Sequence, residues 1–105
     1  MKLDEIRALD QQYFMNTFGQ RMPVAFDHGV GAKLYDTEGK EYTDFFAGIA
    51  VNSLGYAHSK IVSAMMEQMQ KVCHTSNLYY VEPQAKLAKL LVENTFADKI
   101  GRAHV

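Results

Sequence analysis

The sequence predicts an α+β chain: an N-terminal helix, a short antiparallel β meander, then two amphipathic helices. Three observations carry that prediction. Apolar residues recur at helical spacing near the start, the period shortens to alternation between Val24 and Phe46, and it lengthens again from Ser59 onward. Turn residues cluster in the middle section, between the alternating runs.

In the first segment Leu3, Ile6, Leu9, Tyr13 and Phe14 form one stripe with Asp and Gln opposite, which predicts a helix from about Asp4 to Tyr13. A helix this short is marginal in water unless docked, so its stripe requires a partner surface. Gly19 suits a left-handed position after it, and Pro23 is incompatible with its continuation.

The meander follows as three candidate strands, VAFDH, AKLYD and EYTDFF, joined through GVG and TEGK. In the last strand Tyr42, Asp44 and Phe46 are expected on one face, and Thr43 and Phe45 on the other. Asp36-Thr37-Glu38-Gly39 has Asp first and Gly last, the preferences of a type I turn. GVGAK, at Gly29 to Lys33, invites a phosphate-loop reading. It lies between two strands, however, with no helix N-terminus to receive an anion, so a hairpin is expected.

Asp44 to Tyr56, DFFAGIAVNSLGY, reads as a strand-like opening that runs into small residues before the next helix. Gly48 and Gly55 bracket an apolar run whose polar member is Asn52. Such a run costs backbone entropy and leaves polar groups to satisfy, so its backbone is expected to lie against something else.

SKIVSAMMEQMQKVCH then places Ile61, Val62, Met65, Met66, Met69, Val72 and Cys73 on one side of a helix, with Lys60, Glu67, Gln70 and Lys71 mostly opposite. His58 or Ser59 is expected to cap it. Pro83 suits the first position of the next helix, which Leu87, Leu90, Leu91 and Asn94 continue to about Thr95. Both helices need a surface to cover them.

With 48% hydrophobic and 22% charged residues in 105, the composition is that of a single small domain with a modest core. A net charge of -1 gives no electrostatic reason to expect nucleic acid or an anionic membrane as partner. Charges scattered through the first helix do not make a secretory signal, and no apolar run nears the roughly 18 residues of a membrane span. Cys73 is the only cysteine, which excludes an internal disulfide and fits a reducing, cytoplasmic setting.

No catalytic motif stands complete: GxGxxG, Walker A, GxSxG and HExxH are all absent. His28, His58 and His74 have no metal-ligand spacing and are expected to hydrogen-bond locally. Cys73, beside Val72 on an apolar stripe, reads as inert core, and the six methionines as core or interface. HTSNLYY, at His74 to Tyr80, crowds hydroxyls, an amide and two aromatic rings into a link between helices. A functional loop and ordinary turn and cap chemistry explain it equally well.

The run from Tyr13 to Asp98 resembles the N-terminal part of a class III pyridoxal-phosphate-dependent aminotransferase of the acetylornithine type. The residues that carry the resemblance are Asp36 with Glu38-Gly39, Tyr42 with Asp44-Phe45, Gly48 to Asn52, Leu54-Gly55, and His74-Thr75-Ser76-Asn77-Leu78-Tyr79. The resemblance implies fold type I of the pyridoxal-phosphate enzymes and a cytoplasmic homodimer with active sites at the subunit interface. It also implies transfer of the ω-amino group of N-acetylornithine to 2-oxoglutarate in arginine biosynthesis. Ornithine, succinylornithine and 4-aminobutyrate transaminases are the sibling alternatives. On the same basis Ser76 and Asn77 are expected at the cofactor, and Ile49, Asn52 and Tyr79 on the substrate side.

Departures from the family pattern are local. After Leu54-Gly55 the family usually has His and then His-Pro; here Tyr56 takes the first place, His58 is kept and Ser59 replaces the proline. Phe18 stands where Tyr is common. In the family the Schiff-base lysine, the acidic partner of the pyridinium nitrogen and the phosphate cradle all lie beyond the stretch present here. The polypeptide is therefore expected to carry no catalytic residue of its own and to be inactive alone, with residues 1–99 the N-terminal segment of an aminotransferase. Ile100 to Val105 replaces the expected apolar strand. It is what ATC GGA AGA GCA CAC GTC would encode, a run found in a widely used sequencing adapter, and 100–105 is expected to be a non-native tail. The reading from another class is a self-contained protein-interaction module whose helices dock on a partner.

Overall fold

The structure, a computed structural model, describes residues 1–101. Most of the expected tail, 102–105, therefore lies outside the described residues. The chain divides into two units, Met1–Met66 and the part from Glu67 onward, each described by itself.

The first unit opens with helix α1, Leu3–Tyr13, close to the expected bounds. Its N-terminus is held by Glu5, whose carboxylate accepts the Lys2 backbone N–H at 2.8 Å. Asp4 and Glu5 in the first turn suit the positive end of the helix dipole. Past the helix, Arg21 pairs with Asp10 and lies 4.8 Å over the Phe14 ring, fastening the following irregular segment to α1. Gly19 has φ 73°, the left-handed conformation expected of it.

Strands β1 (Phe26–Val30), β2 (Lys33–Asp36) and β3 (Glu41–Thr43) form a three-stranded antiparallel sheet in the order β1-β2-β3, the expected meander. Gly29 and Val30 pair with Leu34 and Lys33, so GVG is largely strand and the hairpin closes at Gly31 and Ala32. The register shifts between Phe26 and His28, where Asp27 makes a bulge. His28 is held locally, with Nδ1 2.8 Å from Asp27 and its ring stacked on Tyr35.

The β2–β3 turn is built on Asp36. Its carbonyl accepts the Gly39 N–H at 2.9 Å, its Oδ1 accepts the N–H groups of Glu38 and Lys40, and its Oδ2 accepts the Tyr42 hydroxyl. These bonds, the Lys40 amide foremost, hold the Asp36 carboxyl below the usual carboxylate range. A depressed native value means that the stabilisation is present above the ordinary carboxylate pKa and is lost as pH falls through the lowered one. In the full-length protein, Asp36→Asn is therefore expected to be less stable than wild type at neutral pH. The gap should narrow as pH drops below about 4. Melting curves at a series of pH values check this, and a gap independent of pH contradicts it.

β3 ends at Thr43, which corrects the expected strand to Phe46. The reason is local: the Asp44 side chain turns back to accept backbone N–H groups ahead of it, which an extended chain cannot do. Beyond it α2, Ala47–Ala50, is a single turn of the wrong hand. All four residues have φ between 53 and 63°, and Gly48 and Ile49 have ψ of 36 and 57°.

Helix α3, Ser59–Lys71, starts where His58 offers its carbonyl to the Val62 N–H. His58 thus takes the cap position through its backbone. At the other end the Gln68 side chain donates to the Val72 carbonyl at 2.9 Å and closes the helix. Val72 and Cys73 consequently fall outside the helix, and Cys73 is exposed, which corrects its reading as core. In the second unit α4, Glu82–Glu93, has Pro83 in its first turn. It ends two residues before Thr95, with Asn94 and Thr95 donating to the carbonyls of Leu90 and Leu91.

Among the described residues no side chain is buried. The accessible surface is 9948 Å², whereas two separate compact domains sharing this mass would together expose about 7,200 Å². On α3, Met65 and Met66 are each 60% exposed and Met69 66%, and the apolar faces of α1 and α4 are likewise open. No described helix is long and apolar enough to cross a membrane.

Candidate functional site

The left-handed turn α2 holds three of the five non-glycine residues with positive φ among the described residues. Each L-residue in this conformation costs roughly 1–2 kcal/mol, and β-branched Ile49 is the least suited to it. Gly48 is the one member that adopts it freely.

What holds the turn is Asp44. Its backbone N–H is tied to the Ala32 carbonyl at the end of the β1–β2 hairpin. Its carboxylate accepts the Phe46 N–H at 2.8 Å and the Ala47 N–H at 3.1 Å, filling the concave nest that a right-handed residue followed by left-handed ones creates. Its other oxygen accepts the Tyr56 hydroxyl at 2.6 Å. The Tyr56 hydroxyl foremost, then the two amides, keeps the Asp44 carboxyl below its ordinary range, and the same bond raises the Tyr56 phenol. Tyr56 and Asp44 thus form a polar pair joined across twelve residues, at the base of the turn's leading amides.

Tyr56 is fixed in turn by the sheet. It exchanges backbone hydrogen bonds with Gly31, at 3.0 and 2.8 Å, in an isolated antiparallel bridge. Its ring lies directly on Gly29, where a Cβ would come within 2.5 Å of the ring. The object against which the small-residue run lies is therefore, in this unit, the tip of the β1–β2 hairpin.

The two residues of this unit expected on the substrate side lie in the turn and just after it, with different surroundings. Ile49 projects outward, 77% exposed, and Asn52 is half-buried with its amide over Gly48. Asn52 also lines a depression of about 260 Å³ with Leu54, His58, Ile61 and Val62. His58 Nδ1 is buried there without a hydrogen-bond partner.

In the second unit Ser76, Asn77 and Tyr79 sit in the link between α3 and α4, which has no regular structure. Ser76 has φ 65°. An open depression of about 450 Å³ is lined by Lys71, Thr75, Tyr79, Tyr80 and Lys86. Tyr79 reaches it; Ser76 and Asn77 do not line it. Thr75 Oγ1 is buried with no partner, an unsatisfied hydroxyl in a segment otherwise rich in donors. No cluster of His, Cys, Asp and Glu among the described residues could hold a metal ion.

Sequence reasoning missed Asp44 and Tyr56 as a pair. A carboxylate followed two and three residues later by residues of no turn preference gives little warning, and its hydroxyl partner is twelve residues away.

Comparison with known proteins bears on this geometry. The model of the family "Aminotransferase class-III" matches residues 14–104. An acetylornithine aminotransferase of Synechocystis sp. is 52% identical over 88 residues, covering 84% of this chain and 20% of that protein. Among solved structures, acetylornithine aminotransferase from Elizabethkingia anophelis superposes on 94% of this chain and 26% of its own, with TM-score 0.87 and 27% identity. Taurine:2-oxoglutarate aminotransferase from Bifidobacterium kashiwanohense, in complex with PLP and glutamate, covers 89% of this chain and 21% of its own, with TM-score 0.77 and 29% identity. The chain spans about a fifth to a quarter of the length of these relatives. The neighbours share the fold type I architecture expected of the chain.

Proposed function

The chain belongs to the class-III aminotransferase family, and on that footing we propose that the full-length protein is a pyridoxal-phosphate-dependent transaminase moving the ω-amino group of N-acetylornithine to 2-oxoglutarate. The observation that carries the choice of donor is the 52% identity to a relative named for acetylornithine. In this reading residues 1–99 are the N-terminal segment of a cytoplasmic homodimeric enzyme, and 100–105 a non-native tail. The open apolar faces of α1, α3 and α4 support cover by further chain or a second subunit.

The residues present fit the cofactor. The unpartnered Thr75 hydroxyl, next to Ser76 and Asn77, makes a donor set suited to phosphate or ring oxygens. Ser76 and Asn77 would hold the group, which when bound supplies the electron-withdrawing ring that carries the amino group between substrates. Ile49 and Tyr79 would offer apolar contact to the donor's carbon chain, and Asn52 an amide for its polar end.

Purified full-length protein is expected to prefer N-acetylornithine over ornithine, succinylornithine and 4-aminobutyrate with 2-oxoglutarate as acceptor. Ser76→Ala with Asn77→Ala should weaken pyridoxal phosphate binding by about tenfold or more, two hydrogen bonds at roughly 1 kcal/mol each. Preference for another donor would reassign the substrate, and unchanged cofactor affinity would remove Ser76 and Asn77 from the site.

A further inference from the structure

We propose that Tyr56 is a positioning residue: acting through Asp44, its hydroxyl holds the left-handed turn Ala47–Ala50 in the shape that presents Ile49 and Asn52 to the amino donor. The inference rests on the reading that Ile49 and Asn52 face the substrate.

A left-handed turn containing two alanines and an isoleucine does not persist on local preference, so contacts outside it must over-determine its shape. Among the described residues, the side-chain hydrogen bonds to its leading amides all come from Asp44. A carboxylate on an exposed loop rotates about two torsions unless something fixes it. Here the fixing group is the Tyr56 hydroxyl, and it is rigid because both ends of Tyr56 are set by the sheet. Its backbone is bridged to Gly31, and the root of its ring rests on Gly29. The path of constraint runs from the hairpin tip to Tyr56, to Asp44, to the amides of Phe46 and Ala47, and so to Ile49. Asn52 follows the turn directly: its backbone N–H is donated to the Ala47 carbonyl at 2.9 Å and its side-chain amide lies over Gly48. Tyr56 itself is not among the residues assigned to cofactor or substrate, so its effect on turnover is transmitted through geometry.

The test is made on the full-length enzyme with three variants. Ile49→Ala tests the underlying reading: if it leaves the KM for the amino donor unchanged, or if wild type transaminates no amine, that reading fails whatever Tyr56 does. Tyr56→Phe removes only the hydroxyl. It is expected to lower kcat/KM for the donor by about tenfold to a hundredfold, the scale of a misplacement of about 1 Å, with pyridoxal phosphate affinity unchanged. Hydrogen exchange at the Phe46 and Ala47 amides should speed up in the same variant. Asp44→Asn, which keeps an acceptor for the Phe46 and Ala47 amides but removes the carboxylate oxygen that receives the Tyr56 hydroxyl, should show a comparable loss, and it replaces Tyr56→Phe if that variant does not fold. Wild-type kcat/KM in Tyr56→Phe, or a loss that only matches its loss of folded protein, overturns the proposal.

Discussion

Heated by itself, a polypeptide of residues 1–105 is expected to lose its ellipticity along a sloping line, without a cooperative transition. Two-state melting requires a buried core, and no described side chain is buried. The excess of accessible surface over that of two compact domains is about 2,700 Å². If half of it is apolar, leaving it uncovered forfeits roughly 30 kcal/mol of hydrophobic stabilisation at about 25 cal/mol per Å². The net stability of an ordinary domain is about 5–15 kcal/mol, so the deficit exceeds anything that capping and turn hydrogen bonds restore. The same open faces predict self-association and strong binding of a hydrophobic dye. Pyridoxal phosphate added to the isolated polypeptide is expected to dissociate on gel filtration. A sigmoidal melt, monomeric and independent of concentration, would contradict the prediction and favour a self-contained interaction module.

The elements legible in the sequence are those whose signal is local and periodic. Ile61, Val62, Met65 and Met69 give α3 its stripe, and the observed helix ends where that stripe meets Val72. Asp36 and Gly39 mark their turn because the chemistry of a type I turn is contained in four residues. The candidate site was legible only as a region. Gly48 signals one positive φ, but Ala47, Ile49 and Ala50 carry no preference for theirs, and the sequence offers no sign that the turn is left-handed. That conformation is imposed by Asp44 and Tyr56, whose meeting depends on Gly31 and Gly29 in another hairpin. Non-local determination of this kind leaves no periodic trace. The glycines and small residues singled out the stretch and resemblance to the aminotransferases implied roles for Ile49 and Asn52, whereas the physical reason for its shape emerged from the hydrogen bonds.

Gly29→Ala and Gly55→Ala are expected to be the most damaging single methyl additions in the Met1–Met66 unit, and glycine controls within the same unit separate the causes. At Gly29 a new Cβ meets the Cγ and Cβ of Tyr56 at 2.5 and 2.7 Å. These atoms are the root of the ring, and two backbone bonds to Gly31 prevent the residue from retreating. Overpacking of this kind costs about 1–3 kcal/mol. At Gly55 the Cβ would stand 2.9 Å from the Gly31 carbonyl oxygen, a backbone atom, and the residue also has φ 85°. Clash and left-handed strain then act together. Gly39→Ala carries the strain without the clash, since its φ is 83° and nothing lies within 4 Å of the added carbon. In the full-length protein the fall in melting temperature should be greater for Gly29→Ala and Gly55→Ala than for Gly39→Ala. Both damaging substitutions push on the Gly31–Tyr56 bridge, so they should also lower kcat/KM in whatever fraction remains folded, while Gly39→Ala spares it. Equal losses in Gly55→Ala and Gly39→Ala, with Gly29→Ala near wild type, would mean that conformational strain alone governs, and that the hairpin tip does not hold the turn in place.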